Sequence, residues 1–148
     1  MAAGDGAWQG AGMTSRVAHT SVDCHDAYAL SEWWKGVLGY GDLEGDPNLP
    51  GHEECMIVSP DGAHRLLFIE VPDDKVVKNR MHLDLEPTEG TRDAELARLL
   101  EHGATEVADL RGKYGPGSGW VVLADPEGNE FCILRSAAER EAATASAE

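Results

Sequence analysis

Basic residues are scarce in this chain: 12 Lys and Arg stand against 27 Asp and Glu, for a formal net charge of −15. A nucleic-acid surface needs a basic footprint against the phosphates, so that class of partner is excluded. The same charge is repelled by anionic membrane surfaces, and it favours a cationic small ligand over an anionic one. Long apolar runs are also missing, and none approaches the roughly 18 residues that span a bilayer. Cysteine is limited to Cys24, Cys55 and Cys132, an odd number with no CxxC pair. That spacing is neither a disulfide framework nor a structural zinc knuckle, so reduced thiols and a cytoplasmic location are expected. Met1 to Thr14 has no basic start and no apolar core, so it does not read as a secretory signal.

What is present is ordinary for a globular chain: 148 residues, 42% hydrophobic, enough for one domain or two small units sharing a core. Residues 1–15 read as a disordered lead-in, with Met13 as an alternative start. Residues 137–148 read as a tail, disordered or helical, without an apolar face. Between them the pattern runs twice. Arg16 to Asp23 is rich in β-branched residues and reads as a strand. Asp26 is placed to cap a helix over Ala27–Val37, with Gly39 as its stop and Leu30, Trp34 and Val37 on one face. A loop, Gly41 to Gly51, leads to two strands, Glu54–Ser59 and Arg65–Val71, around a Ser59-Pro60-Asp61-Gly62 turn. The first unit spans 16–74, and 75–79 is a linker.

The second unit spans 80–136. Arg80 to Glu86 reads as a strand, and Thr91 caps a helix through His102 that carries Leu96, Leu99 and Leu100. Thr105–Leu110 is a short strand, and Trp120–Ala124 and Glu130–Leu134 form a hairpin. His19 and His82 hold matching places at the start of the two units.

Four stretches carry a family resemblance. They are Ala18-His19-Thr20, the helix segment from Trp33 to Tyr40, the segment from Lys78 to Asp84, and Trp120 to Leu134 (WVVLADPEGNEFCIL). Together they resemble the vicinal-oxygen-chelate superfamily of glyoxalase I, bleomycin-resistance proteins and extradiol dioxygenases, and most of all its glyoxalase-like domain members. The resemblance implies an α+β fold, with two βαβββ modules forming curved mixed sheets around a cavity that a homodimer often completes. In metal-dependent relatives four positions bind one divalent ion, two from each module. By match, these fall on His19, Glu70 and His82. The fourth falls on Cys132, where the family has a carboxylate four residues after the turn glycine. Glu130 lies on the same face, but two residues along a strand moves a side chain roughly 6–7 Å. Two histidines and a carboxylate are a known iron-binding set, and a thiolate favours zinc.

Alternation predicts which side chains face the cavity. Met81, Leu83 and Leu85 oppose His82 and Asp84; Leu67, Ile69 and Val71 oppose Phe68 and Glu70; Phe131 and Ile133 oppose Cys132. If each apolar face packs on its helix, His82, Glu70 and Cys132 point into the cavity, Phe68 and Asp84 line it beside them, and Trp120 stands at its mouth. Trp33 and Trp34 read as core. Two functions remain open. One is a metal-assisted lyase, isomerase or dioxygenase acting on a small oxygenated compound with zinc, nickel, manganese or iron. The other is a metal-free, drug-sequestering protein that holds a small aromatic or cationic ligand.

Overall fold

Described residues of the computed structural model are 12 and 14–147, and they form eight strands and three helices. Most of the expected lead-in, 1–15, lies outside the described residues. The first unit comprises β1 (Thr20–Cys24), α1 (Ala27–Leu38), β2 (Gly41–Asp42), β3 (Glu54–Val58) and β4 (Arg65–Glu70). The same order recurs in β5 (Asp84–Leu85), α2 (Arg92–Glu101), β6 (Thr105–Asp109), β7 (Val121–Ala124) and β8 (Glu130–Ile133). A final helix, α3, spans Ala137–Ala145. The sheets run β1-β4-β3-β2 and β5-β8-β7-β6. In each, the first strand is parallel to the last and the other pairs are antiparallel. The α+β architecture of two βαβββ modules with curved, open sheets is therefore the one adopted.

Local chemistry sets the helix ends. Asp26 is extended, and its carboxylate accepts from Ala29 N at 2.8 Å, satisfying an amide that the first turn leaves without a partner. Gly39 ends α1 at φ 68°, a conformation that costs a side-chain-bearing residue. Between these ends Leu30, Trp34 and Val37 recur at helical spacing and are buried against the first sheet. Thr91 caps α2 through Ala94 N. The tail is helical: Ser136 and Glu139 form a capping box, and α3 contributes no buried residue.

The core joins the two modules through α1. Trp34 and Phe131 of β8 meet edge to face at 4.9 Å, and the buried Trp34 Nε1 donates to Asp125 Oδ2 at 3.0 Å. Trp33 stacks on His102 at the end of α2, at 5.1 Å and 28°. Trp33 Nε1 donates to His102 O, and His102 Nε2 donates to Trp33 O, both at 2.8 Å. Glu127, in the β7–β8 turn, accepts from the amides of His25 and Asp26 just ahead of α1. The second module's turn is thus fastened to the first module's helix.

Four expectations change. The faces of β4 are reversed: Leu66 and Phe68 are fully buried under α1 with Cys55 and Ile57, while Leu67 and Ile69 are half-buried on the other face. Both faces of β4 are apolar, so alternation alone does not choose between them, and pairing with β3 aligns Phe68 with the core residue Cys55. β1 begins at Thr20 instead of Arg16, and β5 shrinks to Asp84–Leu85. β2, two residues within the segment expected to be loop, is present because it pairs with β3.

Candidate functional site

The second sheet assembles a compact donor group. His82 and Asp84 lie two residues apart and project to one side, because side chains two apart along extended chain share a face. Asp84 is in parallel register with Cys132 of β8, which brings that thiol onto the same face. His82 Nδ1 lies 3.1 Å from Asp84 Oδ1 and 3.9 Å from Cys132 Sγ. One donor atom from each residue lies within 4.8 Å of the other two. Burial pushes the Cys132 thiol up to about 11, and the Asp84 carboxylate adds to that shift. At neutral pH the thiol keeps its proton. Imidazole, carboxylate and thiol converging on one point fit a divalent ion that accepts sulfur, with coordination positions left over.

The other expected ligands are elsewhere. Glu70 is on the α1 side of β4, and its Oε1 accepts from Ala27 N at 3.4 Å. A carboxylate there complements the positive end of the helix. His19 precedes β1 and is exposed. Neither His19 nor Glu70 joins His82, Asp84 and Cys132 in a cluster of donor atoms among the described residues. Phe68, expected at a cavity wall, is fully buried in the core. Trp120 is half-buried just before β7 and stacks on Tyr114 at 5.8 Å.

Beside the donor group a cleft of about 1050 Å³ opens between the modules. One wall is β1 with the start of α1; the other is the linker, the lead-in to β5 and the β7–β8 turn. His82 stands on its border.

The glyoxalase-like domain family model matches residues 19–134, nearly the whole of both modules. The chain belongs to the glyoxalase-like domain family. Its solved structural neighbours share that fold within the vicinal-oxygen-chelate superfamily. A protein described as a possible glyoxalase from Bacillus cereus is 14% identical with a TM-score of 0.57, over 80% of this chain and 97% of the other. A fosfomycin resistance protein, FosX, from Mesorhizobium loti is 12% identical with a TM-score of 0.59, over 88% and 99%. A FosX variant from Listeria monocytogenes, complexed with Mn(II) and 1S,2S-dihydroxypropylphosphonic acid, is 13% identical with a TM-score of 0.61, over 86% and 98%. At these identities the likeness shows the fold. No curated protein matches the chain significantly in sequence.

Within this glyoxalase-like chain, sequence alone placed His82 and Cys132 on the same side of the second module. It gave Asp84 a place at the cavity and no part in a donor set. The alternate His82-Leu83-Asp84 spacing carried the missing signal. Nothing local pointed to Glu127, whose contacts with His25 and Asp26 span about a hundred residues of chain.

Proposed function

We propose that this protein binds one divalent ion through His82, Asp84 and Cys132. On that basis it serves as a metal-assisted lyase, isomerase or dioxygenase on a small oxygenated compound. The observation that carries the proposal is the convergence of three different donor atoms on one point. The Mn(II) recorded in the Listeria FosX neighbour supports it at the level of the fold. A thiolate in place of a carboxylate favours zinc over manganese. A bound ion of this kind polarises a substrate oxygen as a Lewis acid. The residues have separate tasks. Before an ion enters, Asp84 accepts from His82 Nδ1 and orients the ring, a hydrogen bond that ligation by that nitrogen replaces. Cys132 must give up its proton to ligate, so affinity rises with pH towards the raised thiol value.

The test is metal content of the untagged protein. Roughly one zinc per chain is expected after incubation with zinc, nickel, manganese and ferrous iron, with that stoichiometry lost in His82→Ala and Cys132→Ser and kept in His19→Ala. Uptake of none of these ions overturns the proposal. A metal-free, drug-sequestering protein is the second reading. It is favoured by the reversed β4, whose outward positions are Leu67 and Ile69, so that strand supplies no ligand. Three free cysteines among the described residues support a reducing, cytoplasmic location. A homodimer is supported by Val17, Val76, Val77 and Met81, each 75–89% exposed beside the strands β1 and β5.

A further inference from the structure

α3 buries none of its own residues, yet its polar side chains tie it to the rest of the chain. Glu139 reaches past its own capping box. The Oε2 that accepts from Ser136 N at 2.8 Å also accepts from Arg92 N, again at 2.8 Å. Arg92 is the first residue of α2, so its amide is one that the helix itself leaves unpaired. A carboxylate there also complements the positive end of α2. Arg140 adds an ion pair with Glu86 at 2.7 Å.

Arg92 carries the connection inwards. It is buried, which a charged side chain tolerates only when its donors are used. Nη1 donates to Ser118 O at 3.2 Å and to Gly119 O at 2.8 Å, and Nε donates to Asp93 Oδ1 at 3.3 Å. Ser118 and Gly119 close the β6–β7 loop. Gly112 N donates to Ser118 O, Tyr114 N to Ser118 Oγ, and Ser118 Oγ to Gly115 O. Arg92 therefore grips the loop at its closing residues. Gly119 sits there at φ 83°, and a Cβ on it would collide with Leu110 O.

The next residue is Trp120, which stacks on Tyr114 of the same loop with 21° between the ring planes. Trp120 stands two residues before Val122, and Val122 is paired with Cys132. Side chains two apart share a face, and an aromatic ring reaches its diagonal neighbour across a ladder. Val122 and Cys132 are 7% and 4% exposed, although neither belongs to the core under the helices.

We propose that Glu139 and Arg92 are the positioning residues of a latch. Through them α3 holds the β6–β7 loop so that Trp120 covers Cys132 on the side away from the helices. Release of the loop uncovers the thiol and opens that approach to the donor group. The latch gates the site proposed above, and in that respect its meaning rests on the metal reading. Its contacts do not, and they are tested without metal.

The experiment uses the full chain in EDTA. N-ethylmaleimide labels the thiols, and mass spectrometry follows each cysteine separately. Brief trypsin treatment reports the loop through cleavage after Lys113. Glu139→Ala is expected to speed labelling of Cys132 by about five- to tenfold, the scale of local opening when one charge-assisted hydrogen bond is lost. Cys24 and Cys55, both in the first module, keep their rates. Cleavage after Lys113 accelerates in parallel. Arg92→Met gives a larger rise, and Arg92→Lys, which restores the charge and a donor, recovers part of the protection. Trp120→Ala uncovers Cys132 with the tail still docked. Glu141→Ala, on the same helix, changes nothing. If Arg92→Met does not fold, Glu139→Ala on the surface helix decides the matter. Equal acceleration at all three cysteines would mean general loosening and would overturn the latch. So would unchanged Cys132 labelling in folded Glu139→Ala, or faster labelling with no change at Lys113. A selective rise at Cys132 in a protein that takes up no zinc supports the latch while the metal proposal fails.

Discussion

Cys132 shows how position changes the chemistry of one residue type. It is buried in β8 beside Asp84, and both burial and the neighbouring carboxylate disfavour the thiolate. Cys24 is pushed further, to about 12, by burial and then by Glu127 and Glu70, and Cys55 is also raised by burial. The native protein is therefore expected to react slowly with a thiol reagent such as DTNB at pH 8 and to give three fast equivalents once denatured. Native reactivity comparable to the denatured chain would refute this. The linkage has a definite sign. A raised folded value favours the native state fully below the ordinary thiol pKa, and that contribution is lost as pH rises towards 11–12. If the proposed site takes zinc, the ion is expected to protect Cys132 from the reagent and to leave Cys24 and Cys55 unaffected.

The joint between α1 and α2 governs the elements. A Cβ on Gly36 would lie 2.4 Å from His102 Cε1 and 2.6 Å from Nε2. That ring cannot simply give way, because it stacks on Trp33 and donates to Trp33 O. Gly36→Ala gains about 1 kcal/mol of helix propensity, but displacing His102 loses a half-buried stack and hydrogen bonds on both sides. The clash is expected to win, with a net loss of about 1–3 kcal/mol. A thermal scan should show a melting point lower by roughly 2–4 °C for each kcal/mol. Gly41→Ala, with no atom within 4 Å of its Cβ, is the neutral control. An unchanged or raised melting point in Gly36→Ala would show that the joint is slack. α1 itself was legible in sequence, because Asp26, Gly39 and the Leu30–Trp34–Val37 spacing are local signals. Its second contact surface was not, because His102 and Arg98, which donates to Gly36 O and Val37 O, come from the other module.

At the scale of the whole molecule, β1 and β5 are sheet edges. Their sequences read as longer strands than the chain forms alone, and exposed Val17, Val76, Val77 and Met81 flank them. Unpaired edges with apolar neighbours are covered in stable proteins. A second copy is the occupant proposed for them, so light scattering at micromolar concentration should report twice the 15.9 kDa chain mass. Val77→Asp combined with Met81→Asp should restore the single mass, and a wild-type monomer would refute the dimer.

The sequence by itself determined the two βαβββ units, the helix ends and the side on which His82, Asp84 and Cys132 stand. Those features rest on local spacing: caps, turns and an alternation that is unambiguous where one face is polar. Tertiary structure decided what local spacing leaves open. It turned Phe68 inwards and Glu70 onto α1, because both faces of β4 are apolar and only packing distinguishes them. It also made the cleft, whose walls come from opposite modules.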